Sequence, residues 1–264
     1  MPPINPPMRV KILGSGTCVP SLQRSSCSAA VSFDDTVFLL DIGPGTMRRL
    51  LEANISIFDV THIGLSHFHP DHSGELVSFL FANKYPDGSL RQKPLTIIGG
   101  SGFLSFFQKL SDAYGDWIDA GGKLELIEMA DTPIDERGFP GFSVQTSPVR
   151  HRPESIAFRI NGPNKTSVVY SGDTDVSENL IWLAADTDVL ICESALPEGL
   201  KVEGHLTPAL AGEMASRANV KRLVLTHFYP ECDRVDIEKQ CRSTYAGALE
   251  LARDLLCLTL EGKS

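Results

Sequence analysis

The segment His67-Phe68-His69-Pro70-Asp71-His72 packs three imidazoles and a carboxylate into six consecutive residues. In an extended turn, alternate side chains share a face, so His67 and His69 aim to one side. Asp71 and His72, just beyond, can serve a second ion at the start of a following helix. Nitrogen and carboxylate ligands of this kind suit zinc, with manganese or iron as substitutes. Two divalent cations about 3.5–4 Å apart can share a water and bring its pKa close to neutrality. The chemistry to expect is metal-dependent hydrolysis. The competing reading is a fortuitous histidine-rich surface turn, and the rarity of four ligand residues at this spacing weighs against it.

A binuclear cage needs more ligands than one segment supplies, so distant residues must be brought in by the fold. Short β-branched and apolar runs each end in a turn that carries a polar residue. Residues 37–40 run into Asp41, and 60–65 run into Ser66 and the histidine cluster. Residues 142–146 lead towards His151, 167–170 towards Asp173, 188–192 to Glu193 and 222–226 to His227. If these strands lie in packed sheets, their C-terminal ends converge on one rim. Helical patterns cover 73–81, 101–113, 178–184, 208–218 and 245–255. Ser73 and Thr207 are plausible N-caps, the latter followed by Pro208 at the first helical position. Strands alternating with helices indicate a layered α/β domain with its helices outside.

Composition narrows the rest. With 264 residues, 42% of them hydrophobic, the chain can bury a full core, and the absence of long composition breaks reads as a single domain over 1–264. No stretch approaches the eighteen or more apolar residues of a membrane helix. Met1–Met8 lacks the pattern of an export signal, and its prolines favour an extended lead-in. Six cysteines without a CxxC pair suit reduced thiols and a cytoplasmic home. A net charge of −9 disfavours a broad grip on nucleic acid, although a local basic patch could still hold one phosphate.

Taken together, Leu13-Gly-Ser-Gly-Thr17, Asp41-Ile-Gly-Pro-Gly-Thr46, the histidine cluster, Ser171-Gly-Asp-Thr174, Gly204-His-Leu-Thr207 and Thr226-His-Phe228 resemble the metallo-β-lactamase superfamily, and within it the ribonuclease Z-like branch. The resemblance spans nearly the whole chain and implies a four-layer αββα sandwich. By resemblance, His67, His69 and His151 bind one metal, Asp71, His72 and His227 the other, and Asp173 bridges them. His205, oriented by Glu193, is implied as proton donor, and Asp41 as the partner of a ligand histidine. Taken singly, each has a bland rival. His151 lies between Arg150 and Arg152, as in a basic loop; Asp173 sits in a turn sequence; His205 could be a loop histidine and Glu193 an exposed strand end. Their joint occurrence in family order favours the site. His62 reads as a packed strand residue. Gly14 and Gly16 read as a tight turn, since neither a dinucleotide fingerprint nor a P-loop is complete there. Cys18 and Cys27 read as packing thiols.

The resemblance implies a phosphodiesterase in which a hydroxide bridging two divalent ions attacks and His205 protonates the departing alkoxide. Ribonuclease Z proteins that trim precursor transfer RNA generally carry a long arm between the segments matched here by His151 and Asp173. Only residues 152–172 separate them in this chain, enough for a hairpin. Acidic residues after His227 point the same way, towards a small-molecule or single-stranded phosphodiester substrate. A lactonase, thioesterase or other acyl hydrolase on the same scaffold is the alternative enzyme, and a metal-bound, non-catalytic ligand-binding protein the alternative of another class. Homodimers are common among similar proteins.

Overall fold

The computed structural model describes residues 7–84 and 91–262. The lead-in expected over the first eight residues falls, up to position 6, outside the described residues.

Six strands open the first sheet: β1 (Met8–Gly14), β2 (Ser28–Phe33), β3 (Thr36–Leu40), β4 (His62–Leu65), β5 (Leu95–Gly99) and β6 (Leu124–Glu128). The second sheet is built from β7 (Asp135–Phe139), β8 (Phe142–Pro148), β9 (Ile156–Asn161), β10 (Ser167–Tyr170), β11 (Val189–Glu193), β12 (Arg222–Thr226) and β13 (Ala248–Leu251). The last strand, β14 (Cys257–Leu260), returns to the first sheet and pairs antiparallel with β1. Strand order is β14-β1-β2-β3-β4-β5-β6 in one sheet and β13-β12-β11-β10-β9-β8-β7 in the other. Each sheet turns from antiparallel to parallel pairing part-way across, at β3–β4 in the first and β10–β11 in the second. Helices α1 (Thr46–Glu52), α2 (Pro70–Ser73), α3 (Leu76–Lys84), α4 (Phe103–Tyr114), α5 (Glu178–Leu183), α6 (Pro208–Arg217) and α7 (Ile237–Arg242) complete the elements that matter here.

Alternation along single strands builds the layers. In β3, Phe38 and Leu40 join the core between the sheets, whereas Leu39 joins a second core beneath the helices. A period of two sends successive side chains to opposite faces, so a strand apolar at every position must be covered on both. Across the sheet interface Phe38 meets Phe158 edge-on at 6.3 Å and Phe33 meets Phe142 at 5.3 Å. On the outer side of the first sheet, Leu50, Leu76, Phe79, Phe103 and Phe107 from α1, α3 and α4 pack on Leu39, Ile63 and Ile97. Leu180 and Leu183 of α5, with Ala211, Met214 and Ala215 of α6, cover the second sheet. The result is the αββα sandwich that the family resemblance implies.

Two local expectations fail. Residues 245–255 are not helical: Ala248–Leu251 forms β13 and pairs parallel with β12. Gly247, just before it, disfavours a helix, and the unpaired edge of β12 offers ladder bonds that a short helix would forgo. Ser73 is not an N-cap either. Pro70 starts a helical turn with His69 as its cap, and the Ser73 hydroxyl donates back to the carbonyls of Phe68 and His69 at 3.1 and 3.0 Å. Thr207 does occupy the cap position before Pro208, although its hydroxyl makes no capping bond. His62 begins β4 and stacks on Phe38 at 5.5 Å, as a packed residue should. Among the described residues, no helix is long and apolar enough to cross a membrane.

Candidate metal centre

Every strand expected to deliver a polar residue does so at its C-terminal end, and these ends share one rim. β3 hands over to Asp41, β4 to His67, β8 to His151, β10 to Asp173 and β12 to His227, while Glu193 closes β11. Two of these turns use backbone that most residues avoid. Asp41 and His227 both have φ of +60°, a left-handed conformation that costs about 1–2 kcal/mol outside glycine. Gly172 (φ +55°) and Gly204 (φ +84°) take the same region immediately before Asp173 and His205. At Gly204 a side chain would also press on the His151 ring, whose Nδ1 donates to the Gly204 carbonyl at 3.0 Å.

Among the described residues three ligand-like groups result, one of them joining Asp173, His205 and His227; the other two hold the residues singled out as ligands. His67, His69, His151 and Asp173 place their ligating atoms within 4.8 Å of one another, as do Asp71, His72 and His227. In the first group, His69 Nδ1 lies 3.3 Å from His151 Nε2, and Asp173 Oδ2 lies 3.7 Å from His67 Nε2 and 3.8 Å from His151 Nε2. In the second, His72 Nε2 is 3.3 Å from His227 Nε2, and Asp71 Oδ2 is 3.7 and 3.6 Å from those nitrogens. The other oxygen of Asp173, Oδ1, stands 3.2 Å from His72 Nε2 and 3.3 Å from His227 Nε2. One carboxylate therefore faces both groups, one oxygen to each. A tetrahedron of ligands about 2.0–2.2 Å from a central ion has edges of roughly 3.3–3.6 Å. The observed separations match that scale. His67 Nε2 and Asp173 Oδ1 are buried without hydrogen-bond partners, the condition a cation would relieve.

Burial and neighbouring charge shift these groups in different directions. Burial, with neighbouring imidazoles, pushes His67 down to about 2, which keeps it neutral and able to ligate. Burial also lowers His151. For Asp71, burial works upward but the hydrogen bond of His227 and the charge of His72 outweigh it, leaving the carboxyl at about 2. Burial opposes charge on His72, yet Asp173 and Asp41 on its two sides raise it. His72 Nδ1 is 2.6 Å from Asp41 Oδ2, which fixes the tautomer with its proton on Nδ1 and leaves Nε2 facing the cluster.

Asp41 is fully buried and accepts three further bonds, from Ser66 N, Ser66 Oγ and Tyr170 OH, each at 2.7 Å. Its partners Ser66 and Tyr170 were not singled out in the sequence. Ser66 sits next to the cluster and could have been, whereas nothing local marks Tyr170. Tyr229, whose ring lies 6.1 Å from that of His227, was missed for the same reason. On the rim, His205 Nδ1 is 2.9 Å from Glu193 Oε1 and 4.0 Å from Asp173 Oδ2. Glu193 is held in turn by backbone N–H donors of Thr174 (2.8 Å), Leu206 (3.1 Å) and Ala195 (3.2 Å). Burial alone would lower His205, but the hydrogen bond and charge of Glu193 prevail and raise it to about 9. His62 lies apart from this cluster. Cys27 is buried against Tyr170, its thiol pushed up by burial to about 12, while Cys18 is exposed near the rim.

A family model described as a β-lactamase superfamily domain matches residues 36–228, the stretch from β3 to just past His227. The chain belongs to the metallo-β-lactamase superfamily, in its ribonuclease Z-like branch. Similar proteins match it nearly end to end. Ribonuclease Z of Mycobacterium bovis is 27% identical over 276 residues, covering 94% of this chain and 96% of that protein. An uncharacterized protein of Mycobacterium tuberculosis is 31% identical over 244 residues, covering 91% and 88%. The solved metallo-β-lactamase fold protein YhfI of Bacillus subtilis superposes with a TM-score of 0.81 at 22% identity, covering 96% of this chain and 99% of the other. The order of antiparallel and parallel strands found here is thus that of a known fold.

Proposed function

We propose that this metal-dependent hydrolase is a ribonuclease Z-like phosphodiesterase that holds two divalent cations. His67, His69 and His151 would hold one, Asp71, His72 and His227 the other, with Asp173 between them; the nitrogen-rich donor set suits zinc. Bound cations supply Lewis-acid charge and a water ionised near neutral pH.

The observation that carries the reading is the His205–Glu193 pair at 2.9 Å beside Asp173. An alkoxide is a poor leaving group and needs a proton as the P–O bond breaks; an activated acyl substrate needs it far less. Glu193 accepts from Nδ1, so the Nε2 proton of His205 is free to pass to the departing oxygen. Water adds its oxygen to phosphorus, the P–O bond to the alcohol breaks, and the products are a phosphomonoester and an alcohol. A positioned acid of this kind contributes about 10²- to 10⁴-fold. A small or single-stranded substrate fits the short β9–β10 hairpin, the net charge of −9 and the acidic Glu231 and Asp233 beyond His227.

The test is His205→Ala, assayed for metal content and for turnover of bis(p-nitrophenyl) phosphate beside a diester with a poorer leaving group. The expected loss is larger with the poorer leaving group, at full metal content. Lost metal, or unchanged rates on both diesters, would remove the assignment. A lactone assayed alongside separates this activity from acyl hydrolysis.

A further inference from the structure

We propose that the hydroxyl of Tyr229 is a substrate-binding donor that holds a nonbridging phosphoryl oxygen at the mouth of the metal centre, an inference that rests on the phosphodiesterase reading above. His205 stacks on His227 with ring centroids 5.6 Å apart and lies 4.9 Å from the His151 ring. Tyr229 also contacts His227, its ring nearly perpendicular at 6.1 Å, and its hydroxyl lies 3.6 Å from Cys18 Sγ. Cys18 lines a groove of about 540 Å³ that reaches Asp71 and Pro70. The ring thus stands beside the ligand His227 while the hydroxyl meets the Cys18 thiol at the edge of that groove.

Its position is built into the fold. After the left-handed turn at His227, Phe228 is buried and Tyr229 N donates to the Ala195 carbonyl at 3.1 Å. Pro230 then opens a short 3₁₀ turn, fixing the backbone on the other side. The facing loop is pinned as well. Gly16 N donates to the Ser25 carbonyl at 2.9 Å, and Asp254 accepts from Ser15 N at 2.9 Å and from Ser25 N at 2.7 Å.

A thiol is a weak partner for a half-buried phenol, which ordinarily finds a stronger one. When Cys18 S–H donates to the phenol oxygen, the single phenol proton is left to donate towards the groove. An anionic phosphoryl oxygen held over the cations is the acceptor that completes this arrangement. The sequence alone gave no hint of it, because Cys18 and Tyr229 lie 211 residues apart.

Tyr229→Phe removes the hydroxyl and keeps the ring. Three sets of measurements decide: kcat and KM for bis(p-nitrophenyl) phosphate, the dissociation constant of inorganic phosphate from the metal-loaded protein, and metal content with melting temperature. A hydrogen bond to a charged acceptor predicts a loss of about 10- to 100-fold in kcat/KM and a comparable weakening of phosphate, with metal content and melting unchanged. Cys18→Ala, which loosens the hydroxyl without deleting it, should raise KM only a few-fold. Unaltered kcat/KM and phosphate affinity in Tyr229→Phe, or a loss explained by lost metal, would overturn the proposal. If the wild-type protein hydrolyses no diester, the phosphodiesterase reading fails by itself, and phosphate affinity still decides whether Tyr229 binds the anion.

Discussion

Replacing Asp41 with Asn changes one atom and should uncouple the centre from its support. The carboxylate accepts from Ser66 N through Oδ1 and from Ser66 Oγ, His72 Nδ1 and Tyr170 OH through Oδ2. An amide has one acceptor oxygen and a donating NH₂. Turned one way it sets that NH₂ against Ser66 N–H; turned the other it faces three donors. Either way at least one buried donor is left unmatched, costing about 1–3 kcal/mol, and a fully buried charge beside His72 is lost. At roughly 2–4 °C per kcal/mol for a domain of this size, the apo protein should melt about 2–12 °C lower. His72 also loses the acceptor that fixes its Nδ1 proton, so affinity for the ion on its side should fall by about 10- to 100-fold. Chelator competition at pH 7, read together with calorimetric melting of apo and loaded protein, measures both. Tyr170→Phe is the control: it removes one donor to Asp41 but leaves the His72 contact, so it should lower stability with little effect on metal affinity. Metal affinity unchanged in Asp41→Asn, or reduced equally in Tyr170→Phe, would refute the reasoning.

Removing the metals with a chelator should lower the melting temperature, because saturation at about a thousand times the dissociation constant adds roughly 4 kcal/mol to the folded state; titration calorimetry should count two ions per chain, and an unshifted melt would contradict the site. His62 is pushed down to about 4 by burial. Between pH 4 and 6.5 the unfolded chain binds this proton and the folded chain resists it, so stability present above about pH 6.5 is lost as pH falls towards 4, by up to roughly 3 kcal/mol. In urea melts of the metal-free protein, His62→Phe should flatten that part of the profile, and an unchanged slope would dismiss it. His205 is raised to about 9, so its proton and its stabilising charge are fully present below about pH 6.5 and lost as pH rises through about 9. Bound cations lower that limit. Hydrolysis of a poorly activated diester should therefore decline on an alkaline limb at or below pH 9, and Glu193→Gln should move the limb lower; a flat profile to pH 10 would speak against His205 as the acid.

Much of the centre was legible because it is written in local pattern. Apolar runs ending in single polar residues marked Asp41, Asp173, Glu193 and His227 as strand-end groups, and the strands lie within a residue or two of where alternation puts them. The same logic misled at 245–255, where apolar spacing suits a helix but the free edge of β12 claims residues 248–251 as a strand. Ser73 misled because Pro70 can open a helix three residues earlier.

Residue types, their order and their strand-end positions were thus determined by the sequence, since each depends on neighbours along the chain. Only the tertiary structure decided which atoms meet. It set the two oxygens of Asp173 towards different ligand groups, gave Asp41 its Tyr170 partner 129 residues away, and brought Cys18 to Tyr229. The physical reason is range: propensity and periodicity act over a few residues. These contacts instead follow from how two twisted sheets pack, and from left-handed turns at Asp41 and His227 that those residue types tolerate better than most but do not specify.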